Sequence, residues 1–165
     1  MNKILYILIF SILPFSGSNA EQDKVEYVIK PQFDHAGPFS EGLARVKIGD
    51  RFRYINKEGQ YVANPQFDHA GSFVEGLAAV QIGDKYGYIN KEGQVVIKPQ
   101  FDNTGISFSE GLVHAKIGDK WGYINKEGQV VIKPQFDYAR SFSEGLAAVQ
   151  IGDKYGYINK ASFEK

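Results

Sequence analysis

Short stretches in which apolar side chains alternate with small or polar ones run through the chain and predict β-strands. Three of them follow one another at residues 77–82, 85–90 and 94–98. The Gly83-Asp84 pair and the run Asn-Lys-Glu-Gly at 90–93 separate them and suit tight turns. Pro99 ends the third stretch. Since nothing in the chain shows a helical period, the pattern predicts a three-stranded antiparallel meander.

The meander recurs four times along the chain. Pro-Gln-Phe-Asp begins at 31, 65, 99 and 134, Glu-Gly-Leu at 41, 75, 110 and 144, Ile-Gly-Asp at 48, 82, 117 and 151, and Tyr-Ile-Asn-Lys at 54, 88, 123 and 157. The period is about 34 residues, with one extra residue in the loop after Phe101. The prediction is an all-β tandem array of four repeats, approximately 25–57, 58–91, 92–126 and 127–160, each packing on its neighbours.

The length of the turn at Gly83-Asp84 determines which side chains share a face of each sheet. With a two-residue turn, one face carries Ala78, Val80, Ile82, Gly87 and Ile89, and the other carries Leu77, Ala79, Gln81, Tyr86 and Tyr88. A three-residue turn would reverse this pairing. Both faces are largely apolar, which suits sheets buried between neighbouring repeats.

The two ends of the array allow two arrangements. Residues 25–33 resemble a third strand without its own first two, and no third strand follows the last hairpin. The array is therefore either open or closed into a four-unit, propeller-like ring in which these two ends pair. Arg53 stands where the other copies have Gly87, Gly122 and Gly156. A polar, atypical terminal copy favours the open array.

The N-terminus and the charge balance narrow the possible partners. Residues 1–20 have a lysine, an apolar run too short to span a bilayer, and small residues before position 21, which predicts a signal peptide. The mature domain would be 21–165, exported, and periplasmic or secreted, without stable membrane insertion. The chain has 19 basic and 19 acidic residues and no cysteine. The balanced charge does not predict binding to nucleic acids, which favours an excess of basic residues. Without cysteine the chain cannot form a disulfide.

The segment 120–136, followed by Phe-Ser-Glu-Gly-Leu at 142–146, resembles the bacterial WG-repeat family. The Trp-Gly pair that names this family stands at 121–122, as Tyr-Gly at 86–87 and 155–156, and as Phe-Arg at 52–53. The resemblance covers residues 25–160. It implies a β-rich repeat protein, often exported, that acts as a binding or interaction module. The resemblance implies no catalytic residues for this chain. The arginine at position 53, where the family motif has glycine, puts the packing of the first hairpin in doubt.

Aromatic residues occupy four recurring columns and have two interpretations. The columns are Phe33, Phe67, Phe101 and Phe136; Phe39, Phe73, Phe108 and Phe142; Phe52, Tyr86, Trp121 and Tyr155; and Tyr54, Tyr88, Tyr123 and Tyr157. They form either a row of sugar-stacking platforms or a repeated core. Recurrence in every copy favours the core, from which the tyrosine hydroxyls could still project. Trp121 is the best single sugar-platform candidate.

The recurring carboxylates and the histidines predict structure rather than chemistry. The Asp column (34, 68, 102, 137) and the Glu column (41, 75, 110, 144) repeat in all copies, whereas a catalytic pair is built once. We expect the aspartates to bond loop amides and the glutamates to precede glycine turns. The three histidines show no zinc-site spacing. No metal or cofactor site is predicted.

Columns that vary between repeats are the better candidates for partner contacts, because the constant ones build the scaffold. With the two most distinctive aromatics added, the candidate binding residues are His35, His69, Asn103, Tyr138, Arg45, His114, Trp121 and Tyr155. Positive charge also gathers in copy one, at Arg45, Lys47, Arg51 and Arg53. We interpret that cluster as a solvated end cap rather than as a site for an acidic partner.

The sequence thus predicts an exported, non-enzymatic protein-binding or structural module. Its partner would be an envelope or extracellular protein. The alternative is recognition of cell-wall or surface glycans by the aromatic columns. The sequence leaves the oligomeric state open.

Overall fold

The structure, a computed structural model, describes residues 26–62 and 66–163 and is all-β. The strands are β1 (His35–Ala36), β2 (Ala44–Ile48), β3 (Arg51–Ile55), β4 (His69–Ala70), β5 (Leu77–Ile82), β6 (Lys85–Asn90), β7 (Val95–Phe101), β8 (Asn103–Thr104), β9 (Leu112–Ile117), β10 (Lys120–Asn125), β11 (Val130–Phe136), β12 (Tyr138–Ala139), β13 (Leu146–Ile151) and β14 (Lys154–Asn159), followed by a 3₁₀ turn at Lys160–Ser162. The predicted signal peptide lies outside the described residues. No helix within the described ranges is long and apolar enough to cross a membrane.

The strands form four antiparallel sheets, each built on the central hairpin of one predicted repeat, and the third strands β7 and β11 lie within the next predicted repeat. Sheet 1 is β1-β2-β3, sheet 2 is β4-β5-β6-β7, sheet 3 is β8-β9-β10-β11 and sheet 4 is β12-β13-β14. The two-residue strand that opens each sheet was not predicted. It forms where the loop after the Pro-Gln-Phe-Asp motif runs alongside the first long strand.

The central hairpins have the predicted register. Ile82 lies opposite Lys85 and Ala79 lies opposite Tyr88, so Gly83-Asp84 is a two-residue turn. Gly83 has a φ of 60° and Asp84 has no positive φ, as a type II′ turn requires. This turn assigns alternate side chains of each hairpin to the faces expected from the sequence.

The third strand approaches the second one closely at a glycine. Between the pairs Tyr86–Phe101 and Tyr88–Ile97 the ladder shifts register, so β7 bulges opposite Gly87. A Cβ on Gly87 would lie 2.4 Å from the carbonyl oxygen of Ile97. The same 2.4 Å separates a Cβ on Gly122 from the Ile132 oxygen in sheet 3. The glycine is therefore required by the path of the neighbouring backbone.

Sheet 1 has Arg53 in place of this glycine. After its hairpin, the described residues pair with β3 at two bridges, Phe52–Phe67 and Ile55–Tyr61. The Arg53 guanidinium lies over the Tyr61 ring, 5.2 Å from its centre. The first hairpin nevertheless keeps a continuous register, with Val46 opposite Arg53, and belongs to the array.

The core is divided into layers, each between two consecutive sheets. In sheet 2, Ala78, Val80 and Ile89 pack against sheet 1, whereas Leu77 and Tyr88 pack against sheet 3. Sheets 3 and 4 share a third layer. Sheets 2 and 3 are thus buried on both faces by their neighbours, as expected for the interior of a repeat array.

The described array is open. Tyr155 and Tyr157 on the outer face of sheet 4 are 58% and 76% exposed, so no other sheet covers them. The prediction of a strand at 25–33 is wrong for the described residues, because none of 26–33 belongs to a strand or a bridge. Ile29 and Phe33 nevertheless pack on the outer face of sheet 1.

Candidate interaction clefts

The recurring carboxylates are engaged in local and inter-repeat hydrogen bonds. Asp68 accepts the Gly83 amide at 2.8 Å and forms an ion pair with Arg51. Glu75 accepts the Gly111 amide of the next repeat at 3.0 Å. Each glutamate of this column has a φ of 51–53° and precedes a glycine that also has positive φ, so the pair forms the expected turn. These contacts give both columns a structural role.

The variable columns meet at the junctions between consecutive sheets. The first junction, between sheets 1 and 2, brings together Arg45, Phe52 and His69. The Phe52 and His69 rings lie 5.8 Å apart, and Arg45 donates to the Ala70 carbonyl oxygen at 2.8 Å. The variable positions therefore form a row along the array, although they are far apart in the chain.

A small cleft marks the second junction, between sheets 2 and 3. It has a volume of about 100 Å³, and its walls include His69, Tyr86 and Asn103. The His69 and Tyr86 rings are 6.5 Å apart. Both His69 and Asn103 are exposed, on β4 and β8 respectively.

The third junction, between sheets 3 and 4, holds the largest cleft of the row, and we call it the third cleft. It has a volume of about 440 Å³ and brings together four predicted site residues, Asn103, His114, Trp121 and Tyr138. The Trp121 ring lies 5.3 Å from the His114 ring and 6.0 Å from the Tyr138 ring. Aromatic and hydrogen-bonding side chains thus converge on one open cleft.

Two of the predicted site residues lie away from these clefts. His35 is exposed on β1, at the N-terminal end of the array. Tyr155 lies on the outer face of sheet 4. The structure therefore gathers six of the eight candidates at the junctions and places the other two at opposite ends.

A model of the WG containing repeat matches four consecutive segments, 26–52, 52–86, 86–121 and 121–155. The protein belongs to the WG containing repeat family. No curated protein matches the chain. Among solved structures, the chain is similar to a plant lectin with two metal binding sites from Cicer arietinum. The identity is 14%, the TM-score is 0.31, and the match covers 78% of this chain and 86% of that one.

The Trp-Gly pair of this WG-repeat protein is structural in the third repeat. Trp121 is only 8% exposed and belongs to the layer between sheets 3 and 4. The indole therefore belongs mainly to the core, although it also lines the third cleft, and its role as a sugar-stacking residue stays a prediction. The next residue, Gly122, has no side chain, so the backbone of the third strand can pass directly beside it.

The other aromatic columns are likewise core in the interior of the array. Phe67, Phe73, Phe108 and Phe142 are each at most 1% exposed. In the first three repeats the tyrosine hydroxyls do not project to solvent: Tyr88 donates to the Gly105 carbonyl oxygen at 2.8 Å, and Tyr54 and Tyr123 make the equivalent bonds. Burial raises the pKa of Tyr88.

Two cleft residues were missed by the sequence analysis. Ile106 is 69% exposed and lines both the second and the third clefts. Thr104 is buried between them, bonds to Tyr88, and donates to the His114 carbonyl oxygen at 3.1 Å. One feature of the sequence could have pointed to them. The loop after Phe101 is one residue longer than the equivalent loops of the other repeats.

His114 should make the stability of the domain depend on pH. Its Nδ1 atom is buried without a partner among the described residues, and burial lowers its pKa from 6.5 to about 4. Because the unfolded chain binds the proton first, the free energy of unfolding should fall by about 3 kcal/mol as the pH drops from 6.5 to 4. The loss of stability should be complete below the pKa of His114 in the folded protein.

Urea unfolding between pH 7.5 and pH 4 measures this effect. The matched variant is His114→Ala, since alanine occupies the same column at Ala79 and Ala148. The variant should retain only the pH dependence that the carboxylates contribute to both proteins. Equal pH slopes in the two proteins would contradict the assignment to His114.

Proposed function

We propose that this WG-repeat protein is a non-enzymatic interaction module that receives an extended segment of a protein partner along its row of clefts. The observation that carries the proposal is the convergence of the variable columns on consecutive junctions of a constant scaffold. A repeat protein commonly uses such a surface, because scaffold and contact residues can change independently. As an exported protein, it would meet this partner in the cell envelope or outside the cell.

The chemistry of the row supports a polypeptide ligand. His69, Asn103 and Tyr138 stand on the short strands of three consecutive sheets and are exposed. They offer a ring nitrogen, an amide and a hydroxyl at repeated positions, which suits the backbone and side-chain groups of an extended chain. The second and third clefts are lined in part by the apolar side chain of Ile106, which side chains of the partner can cover.

Site-specific photo-crosslinking in the producing cell tests the proposal. A photoreactive residue at position 103, between the second and third clefts, should capture a protein partner that mass spectrometry identifies. The same residue at exposed Lys98, which lies on β7 away from the clefts, is the matched control. With the photoreactive residue kept at position 103, the double variant His69→Ala, Tyr138→Ala should lose most of the crosslinked band. Equal capture from positions 103 and 98, or an unaffected band in the double variant, would refute the cleft row as the binding surface.

The third cleft favours one alternative, a glycan ligand. Its volume and its lining of Tyr138, His114 and Asn103 combine an aromatic edge with hydrogen-bonding groups, as small polar ligands require. Co-sedimentation with purified cell-wall polysaccharide in moderate salt distinguishes the two functions. Salt-resistant pelleting that is lost in Tyr138→Ala would support the glycan, whereas protein that stays in the supernatant would favour the polypeptide partner.

A further inference from the structure

The two ends of the described array carry the two halves of an inter-repeat junction. At each interior junction a tyrosine of one sheet packs edge-on against a phenylalanine of the next, with ring centres 4.9 Å apart. These pairs are Tyr54–Phe73, Tyr88–Phe108 and Tyr123–Phe142. The next tyrosine of the column, Tyr157, and the preceding phenylalanine, Phe39, are instead 76% and 45% exposed. Each exposed ring lacks the partner that the other end displays.

The segment before sheet 1 has the sequence of a third strand but belongs to no sheet. Residues 28–34 are identical in sequence to 96–102 and 131–137. Ile29 and Phe33 pack on the outer face of sheet 1, just as Ile97 and Phe101 pack on sheet 3. A Cβ on Gly59 would meet Ile29 at 3.3 Å, as one on Gly128 would meet Ile97 at 3.2 Å. The segment is thus already held in the position of a third strand.

Sheet 4 lacks a third strand among the described residues. The outer edge of β14 pairs with no strand, and an open groove of about 300 Å³ lies along it. A Cβ on Gly156 would meet nothing within 4 Å, whereas the equivalent Gly87 and Gly122 face the backbone of a third strand. The Glu-Gly turn that leads into that strand elsewhere is replaced by Ala161-Ser162, in a 3₁₀ turn.

The charges at the two ends are complementary as well. In the interior, Lys85 pairs with Asp102 and Lys120 pairs with Asp137, each across a third strand. At the ends, Asp34 accepts the Gly49 amide through one oxygen at 2.7 Å. Its other oxygen and the Lys154 ammonium have no partner within the part of the chain that the structure describes. Lys154 and Asp34 occupy the positions of the interior ion pairs.

We propose that the protein binds a second copy of itself head to tail, so that residues 27–34 of one copy supply the third strand of sheet 4 in the next. By the register of the interior sheets, Phe33 would lie opposite Tyr155, and Ile29 opposite Tyr157. The Tyr157 ring would then enter the groove beside Phe39, which has a volume of about 300 Å³. The segment keeps its contacts with its own sheet 1, so no refolding is needed.

Such an interface joins two different surfaces and therefore propagates. Each added copy presents a new free end, and the repeat array continues from one chain into the next. This distinguishes the assembly from a symmetric dimer, in which the same surface would be used twice. It also predicts that one damaged end stops growth without preventing binding at the other.

Sedimentation velocity from micromolar to millimolar concentration tests the proposal, with the protein purified from the cells that express it and its N-terminus determined by mass spectrometry. The wild type should grow beyond two chains as its concentration rises. Tyr157→Asp blocks one end and Phe39→Asp blocks the other, and each variant alone should sediment as one chain. Because each retains one intact end, an equimolar mixture should form a species of two chains and no larger one.

Two further variants separate strand addition from simple contact between exposed rings. Gly156→Val should also sediment as one chain, because its side chain would occupy the path of the incoming strand, and its melting temperature at low concentration should equal that of the wild type. Tyr138→Asp removes an exposed tyrosine away from both ends and should associate normally. A synthetic peptide of residues 26–36 should inhibit assembly, and its scrambled version should not.

Three results would overturn the proposal. The first is a wild type that remains one chain at every concentration, as a ring closed within the chain would. The second is association of Tyr157→Asp or Phe39→Asp to the extent of the wild type. The third is a mixture of these two variants that forms no two-chain species.

Discussion

Replacing Gly122 by alanine should lower the free energy of unfolding by about 3 kcal/mol or more. A Cβ at this position would lie 2.4 Å from the Ile132 carbonyl oxygen and 2.8 Å from the Pro134 nitrogen. Both atoms belong to the backbone, so the overlap cannot be relieved by turning a side chain. Either β11 must move away from β10, with loss of their ladder, or the layer between sheets 3 and 4 must open. Urea unfolding measures the loss.

Gly156→Ala is the matched control for this prediction. The residue occupies the same column in the fourth repeat, but a Cβ there would meet nothing within 4 Å. Its free energy of unfolding should change by less than about 0.5 kcal/mol. Both variants must be measured at a concentration low enough to keep the chain monomeric. Equal destabilisation by the two substitutions would mean that glycine is needed for its intrinsic flexibility rather than for the third strand.

The second large effect is expected for Trp121→Ala, which should cost about 3–5 kcal/mol of stability. The indole is 8% exposed and packs in the layer with Phe136 and Val149 of sheets 3 and 4. Its removal leaves a cavity that the neighbouring strands cannot fill without moving. A thermal melt of the purified variant gives the result directly, as a large fall in melting temperature.

Tyr155→Ala provides the comparison within the same aromatic column. Tyr155 is 58% exposed on the outer face of sheet 4, so its removal should change the melting temperature of the monomer by no more than a few degrees. A Trp121→Ala protein that melted like the wild type would favour the platform interpretation of this residue over the core interpretation.

The proposed partner binding and the proposed self-association use different surfaces. The cleft row contains His69, Asn103 and Tyr138, whereas the self-association requires Phe39 and Tyr157. Substitutions in the cleft row can therefore abolish partner binding without affecting self-association, and substitutions at the two ends can do the reverse. If both proposals hold, assembly would lengthen the row of clefts and allow several copies to engage one partner, which raises the apparent affinity without new contacts.

Much of the fold follows from local patterns. Residues 77–90 specify a hairpin because alternating side chains flank a glycine that tolerates positive φ. The two faces follow from the turn length, and the period of the motifs predicts stacked sheets. The short strands β1, β4, β8 and β12 were missed because two residues carry no periodic signal and form only when the first long strand lies alongside.

The sequence predicted which columns contain the candidate site residues, but it did not predict where these residues meet in space. Variation between repeats identified Asn103, His114 and Tyr138, yet their convergence on one cleft depends on how sheets 3 and 4 stack. The burial of Trp121 depended on the same stacking, since a tryptophan on a strand is equally consistent with a platform and with a core.

By itself, the sequence determined the strands, the turns, the repeat and the pairing of faces, because these depend on residues close together in the chain. Only the tertiary structure decided which copy of each recurring side chain is buried. Tyr123 is fully buried and Tyr157 is 76% exposed, although both stand in the motif Tyr-Ile-Asn-Lys. The physical reason is that burial in a stacked array is set by the neighbouring sheet, which covers Tyr123 and leaves Tyr157 open.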